Sequence, residues 1–352
     1  MKAALVPHLR CPLDGTPLQL VEPVAEAGGE IVSGQLRSAA GRRYAIERGV
    51  PVLLDPQTFA PGQAETRESF SEKWRRATNY RDDTRAHYER WYLERYGHGD
   101  LPGLRRFLSG KRRILEAGTG HGRDAEMYAR QAPQAEVFGL DLSEGIHVAY
   151  AGLRDLPNLH LVQADLQRPP FPEQYFDFVA CDQVIHHTPD TRRSLAALLR
   201  HVAPGGHLAF YCYKVKGPIR EFCDDYIRER TTQMPVEECL AFSEAMTHLG
   251  KALSGLEATV DVPEAIPLLG IPKGPIDVQR FVYWHVFKCY WNDGMDWTSN
   301  VMTNFDWYHP LHAHRHTPEE VRGWCAELGL EIERFDVVES GISVLARRPA
   351  RG

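Results

Sequence analysis

Between residues 114 and 213 short apolar runs alternate with stretches of helical length. The runs 114–117, 135–142, 159–166, 176–181 and 207–213 are bounded by turn residues and read as strands, most of them buried on both faces. Ser143 can cap a helix after the second run, and 191–202 has helical character after the fourth. Strand, loop and helix repeated in this order predict an α/β fold built on a parallel sheet. Much later, Thr317 is a capping residue, Pro318 takes the first helical position and Glu319 and Glu320 favour the helix start, which predicts a helix as far as Gly329. Two further strands, 330–338 and 342–347, surround Gly341 and form a closing hairpin.

The first strand runs into Gly118-Thr119-Gly120-His121-Gly122, and the second ends in Asp141. Glycines at a strand's carboxyl end let the backbone approach a ligand closely, and an acid ending the next strand can accept both hydroxyls of a ribose. A dinucleotide fingerprint would place a third glycine at Arg123, and Glu116 ahead of the loop would repel a pyrophosphate while pairing with an ammonium group. The pattern therefore predicts a nucleoside ligand with an amine and no phosphates.

The acid followed by G-x-G-x-G resembles the signature of class I S-adenosylmethionine-dependent methyltransferases. V-I-H-H-T-P-D at 184–190 and L-x-x-L-L-R-H-V-A-P-G-G-H-L at 195–208 are similar to the subgroup called type 11. The resemblance covers residues 112–214. It implies a Rossmann-like seven-stranded sheet, mostly parallel with a carboxyl-terminal antiparallel hairpin, and S-adenosyl-L-methionine as cofactor. The cofactor-binding set it implies is Glu116, Gly118, Thr119, Gly120, Gly122, Asp141, Leu142, Asp165, Leu166 and Asp182.

The flanking regions call for additional parts. Residues 1–58 resemble short zinc-ribbon-like partners of some methyltransferases, but only Cys11 stands where metal thiolates would, with Asp14 replacing its neighbour. A small metal-free β module is expected there, with Leu18, Leu20, Ile46, Val50, Val52 and Leu53 as its core. Residues 59–111 read as a linker and helices over the cofactor, with Trp74, Tyr80 and Tyr92 as candidate pocket walls. Residues 112–214 and 311–352 form the methyltransferase core. Residues 215–310 are too long for a structureless connection and predict a helical lid that binds the acceptor, with helices over 220–230, 236–254 and 276–292.

Composition narrows the function. A net charge of −6 over 352 residues gives no basic footprint for nucleic acid. Seven cysteines without a C-x-x-C pair suggest reduced thiols, and no apolar run is long enough to span a bilayer. The expectation is a cytoplasmic monomer or homodimer acting on a small-molecule acceptor. Methyl transfer to an oxygen or nitrogen atom needs a base when the acceptor is a hydroxyl or a protonated amine; His187 is the first candidate, followed by His186 and His309. Tyr283, Trp284, Trp307 and Tyr308 are the expected acceptor-binding residues, with Asp306 interleaved, and no metal is expected despite His312, His314 and His316. The alternatives are a methyltransferase acting on tRNA or a protein factor, and a non-catalytic S-adenosylmethionine-binding partner subunit.

Overall fold

The computed structural model describes residues 1–350, except for the side chains of residues 22–25 and 27. The chain opens with four antiparallel strands, β1 (Gln19–Ala27), β2 (Glu30–Arg37), β3 (Arg43–Glu47) and β4 (Val50–Leu53), each paired with the next. Three helices follow, α1 (Gln63–Arg76), α2 (Tyr80–Arg95) and α3 (Leu101–Leu108). Parallel strands β5 (Arg113–Ala117), β6 (Glu136–Asp141), β7 (Leu159–Ala164), β8 (Phe176–Cys181) and β9 (Val202–Lys214) come next. Helices α4 (Arg123–Gln131), α5 (Gly145–Leu153) and α6 (Thr191–His201) follow β5, β6 and β8 respectively.

An insert then brings α7 (Pro218–Thr231), α8 (Val236–Ser254), a hairpin of β10 (Thr259–Val262) and β11 (Gly274–Asp277), α9 (Val278–His285) and α10 (Trp297–Tyr308). The chain closes with β12 (Arg315–His316), α11 (Pro318–Glu327) and a hairpin of β13 (Glu331–Val337) and β14 (Gly341–Arg347). Thr317 and Glu320 form the reciprocal capping box that starts α11.

The central strand order is β7-β6-β5-β8-β9-β14-β13, with β14 antiparallel to β9. This is the seven-stranded, mostly parallel sheet with a closing antiparallel hairpin that the sequence implied. The chain steps outward from β5 to β6 and β7, then returns to the other side at β8. At such a reversal open α/β sheets bind ligands outside the strands' carboxyl ends. Alternating side chains feed two cores: Leu115, Phe138 and Val179 enter one, while Ile114, Val137 and Phe178 enter the other.

The amino-terminal strands continue this sheet. β4 runs parallel to β7, with Val52 opposite Gln163 and Leu53 opposite Ala164, so the described sheet contains twelve strands, counting β12, which pairs with β9. Leu18, Leu36, Ile46 and Leu53 share the core of Leu115 and Phe138. The Sγ of Cys11 lies 3.2 Å from the Tyr44 hydroxyl, and among the described residues no group of three or more His, Cys, Asp or Glu is arranged to hold a metal.

The insert departs from expectation at 276–292, where only Val278–His285 is helical. Two asparagines one turn apart on α10 hold the following segment out of helix. Asn304 accepts from the Tyr290 amide at 2.8 Å and donates to the Tyr290 carbonyl at 3.1 Å, and Asn300 does the same at Asn292, at 2.8 and 3.0 Å. These side chains supply bonds that a helix would have provided.

Leu53 is buried in the shared core. Leu53→Ala is expected to cost about 2–5 kcal/mol, with far-UV circular dichroism and tryptophan fluorescence showing one coincident urea transition rather than a separate early loss of the amino-terminal strands.

Candidate functional site

A cleft of about 1150 Å³, counting its open mouth, lies at the reversal point of the sheet. Its floor comes from the ends of β5 to β8 and the loops after them: Glu116, Gly118 to Gly120, Leu140 to Ser143, Asp165, Leu166 and Asp182 to Val184. Much of the opposite wall is α1, whose Gln63, Thr66, Arg67, Phe70, Lys73 and Trp74 recur at helical spacing and all line the cleft. Tyr80 and Tyr88 of α2, Tyr213 at the end of β9, Asp306 of α10 and His187 also line it, as do His121 in the glycine loop and Arg123 and Asp124 at the start of α4.

Backbone bonds pin the glycine loop to β6. The Gly118 and Thr119 amides donate to the Leu140 carbonyl at 2.7 and 2.9 Å, and the Gly120 amide donates to Asp141 Oδ2 at 2.7 Å. Gly120 has φ +53°, and a Cβ there would lie 2.9 Å from the Trp74 ring. Gly122 does not line the cleft. It starts α4 with φ +90°, and a Cβ there would strike Leu153 of α5 at 2.5 Å, so this glycine serves helix packing.

Four carboxylates on the floor differ in what they already hold. Glu116 is 5% exposed, and its Oε2 has no hydrogen-bond partner; burial, aided by Asp124, pushes its carboxyl well above the usual range. Such an orphaned acid gains most from a ligand cation. Asp141 accepts from the Ser143 amide at 2.7 Å as well as from Gly120, and burial raises its pKa. Asp165 accepts from Gln63 Nε2 and the Gln167 amide, both at 2.9 Å. Asp182 is committed within the protein to Arg95 at 2.7 Å and the Tyr96 hydroxyl at 2.8 Å.

The candidate bases are distributed unevenly. His187 lines the cleft, and its Nδ1 lies 2.7 Å from the His312 carbonyl. Because a carbonyl only accepts, that nitrogen carries the proton and Nε2 keeps its lone pair. Burial lowers the His187 pKa to about 3. His186 is a correction: it is fully buried, its ring 3.6 Å from that of Tyr213, and it does not reach the cleft. His309 is another, because Ser69 Oγ at 2.7 Å and the Met234 carbonyl at 3.2 Å occupy both of its nitrogens outside the cleft.

None of Tyr283, Trp284, Trp307 and Tyr308 lines the cleft; they pack with Cys289 and Phe305 in the interior of the insert. Helical periodicity is the reason. Asp306 faces the cleft, and its neighbours in α10 turn toward α7 to α9. Tyr92 is likewise interior, its hydroxyl accepting from that of Tyr128 at 2.8 Å.

Residues 115–210 match the family model described as Methyltransferase domain. Similar curated proteins include a phthiotriol/phenolphthiotriol dimycocerosates methyltransferase of Mycobacterium leprae, 34% identical over 37% of this chain and 48% of that protein. A fatty-acid O-methyltransferase of Mycolicibacterium smegmatis is 32% identical over 43% of this chain and 54% of its own length. The chain thus spans about half the length of these relatives. Among solved structures, magnesium protoporphyrin IX methyltransferase from Synechocystis with bound SAH aligns with TM-score 0.43 and 13% identity, over 81% of this chain and 99% of that one.

Several wall residues of the cleft had no motif to announce them. His121 inside the glycine loop is buried with neither ring nitrogen bonded, and it stacks on Trp74 at 4.5 Å. Lys73 Nζ bonds Asp306 Oδ2 at 2.7 Å and lies 4.4 Å from the Trp74 ring centroid. The helical spacing of Gln63, Thr66, Arg67, Phe70 and Lys73 on one face was the available signal.

Burial holds several histidines neutral: His98, His160 and His316 are lowered to about 4, and His187 to about 3. Unfolded histidines take up protons below about pH 6.5, while these folded ones do not. Stability is therefore expected to be complete above that pH and to fall as the pH drops toward 4, read as a decreasing urea midpoint at pH 7.5, 6 and 5.

Proposed function

We propose that the chain is an S-adenosylmethionine-dependent methyltransferase that methylates an oxygen or nitrogen of a small metabolite. The observation that carries this is the unpartnered Glu116 carboxylate beside the glycine loop, in one cleft with Asp141 and Asp165. A cofactor with an amino-acid end and an adenosine meets the unmet demand: Glu116 takes the ammonium group, Asp141 the ribose hydroxyls, and Asp165 with Leu166 the adenine edge. When bound, the sulfonium supplies an electrophilic methyl group. Acids in the floor favour that cation, and the rings of Phe70, Trp74 and Tyr213 in the wall restrict water around it.

A small-molecule acceptor is supported by relatives whose names specify dimycocerosate lipids and fatty acids, and the net charge of −6 disfavours nucleic acid. We infer that His187 orients the acceptor through Nε2 instead of storing its proton, because burial makes it a weak base.

Calorimetry with S-adenosylhomocysteine tests the cofactor assignment. Asp141→Ala and Glu116→Gln should each weaken binding about ten- to a hundredfold, as loss of a charged hydrogen bond implies; wild-type protein that binds neither this compound nor S-adenosylmethionine would falsify the proposal. His187→Ala should keep the wild-type affinity for S-adenosylhomocysteine and lower turnover about ten- to a hundredfold, with no group lost from the pH–rate profile above pH 6.

A further inference from the structure

The cleft is electrically two-ended. On the cofactor side stand Glu116, Asp124, Asp141, Asp165 and Asp182, of which Asp124 is paired with Arg123 and Asp182 with Arg95. Around Asp306 the balance reverses. Lys73 meets Asp306 Oδ2 at 2.7 Å, and Lys288 stands behind it with Nζ 3.6 Å from Oδ1, an oxygen that lacks a hydrogen bond. Arg228 is buried nearby; it donates to the carbonyls of Trp307, Pro310 and Leu311 and forms no salt bridge among the described residues. Lys73, Lys288 and Arg228 thus share this region with two buried carboxylates, Asp306 and Asp224, and Asp224 is already paired with Arg220, so positive charge is in excess and an incoming anion would offset its cost.

We propose that the acceptor is a carboxylic acid, bound as its carboxylate beside Lys73 with Lys288 and Arg228 behind, and that the product is its methyl ester. This rests on the methyl-transfer function proposed above and names its substrate class. Among the described residues Asp306 is the one oxygen hydrogen-bonded to Lys73, so the ammonium keeps donors for an incoming carboxylate. Holding one carboxylate oxygen there leaves the other free to react. That oxygen's lone pair forms the bond to the methyl carbon, the S–CH₃ bond breaks with its electron pair retained by sulfur, and no proton is gained or lost.

The lack of a strong base fits an acceptor that is already ionised. Burial alone would raise the Asp306 carboxyl, but Lys73 and Lys288 outweigh it and hold the group below the usual range, which suppresses its basicity. Burial likewise makes His187 a weak base. A hydroxyl would have to lose its proton to one of these groups, and an ammonium acceptor would enter a site that already carries excess positive charge.

The test uses the full chain with methyl-tritiated S-adenosylmethionine, after calorimetry with S-adenosylhomocysteine. The acceptors are decanoate, benzoate and citrate, the matched probes decanol and decylamine, and a bacterial metabolite extract. The expected result is label in carboxylates and in the extract that mild alkali releases as volatile methanol, since esters hydrolyse where ethers and N-methyl groups do not. Lys73→Gln and Lys288→Gln should lower kcat/KM for the labelled carboxylate roughly tenfold or more, while unchanged affinity for S-adenosylhomocysteine reports that each variant is folded. Alkali-stable label, or cofactor binding with no carboxylate labelled, overturns the carboxylate assignment and leaves the cofactor assignment standing. Absence of S-adenosylhomocysteine binding to the wild-type chain removes both.

Discussion

Burying carboxylates at the ends of four adjacent parallel strands opposes folding, and much of the surrounding structure offsets that cost. Each acid is handled differently. Asp182 is neutralised by Arg95, which is itself clasped between Trp91 and Tyr211, with ring centroids 3.6 and 4.8 Å from its guanidinium carbon. Asp141 is solvated by backbone amides of the glycine loop and of Ser143, which replace water with fixed dipoles. Asp165 shares its oxygens between α1 and the turn that follows β7. Of these four acids Glu116 keeps an oxygen unmatched, which leaves beside the glycine loop a hydrogen-bonding demand that a ligand can meet.

The roof is joined to the sheet by the same kind of contact. Helix α1 reaches Asp165 through Gln63 and the β6–α5 loop through Arg67, which bonds the Leu142 carbonyl at 3.1 Å and Glu144 at 3.0 Å. The same helix also reaches the insert, through Lys73 to Asp306 and Ser69 to His309. A single helix therefore bridges the strand ends of the sheet and the insert. His309, expected as a base, is one of the bolts of that bridge.

Much of the sheet was legible because parallel strands covered on both faces read as uninterrupted apolar runs, and the glycine loop with Asp141 carries its geometry in residue type. The lid was less legible. Aromatic residues between 283 and 308 announce burial, but composition does not say whether they face ligand or one another, and α10 resolves this by turning Asp306 to the cleft and Trp307 and Tyr308 away. The shortened α9 depends on Asn300 and Asn304 contacting backbone several residues earlier, a tertiary override of local propensity. His186 and His187 are adjacent in sequence, yet one is sealed behind Tyr213 and the other lines the cleft. No local pattern distinguishes them.

The parallel register of β4 against β7 also constrains the order of assembly. Val52 finds its partner Gln163 more than a hundred residues later in the chain, so the opening meander leaves the ribosome with one edge and one apolar face uncovered until β7 has been made. Non-local pairing of this kind slows folding and prolongs exposure of an unpaired strand edge. In the finished protein the same register caps what would be the open β7 edge of the sheet, which turns a hazard of synthesis into protection against intermolecular strand pairing.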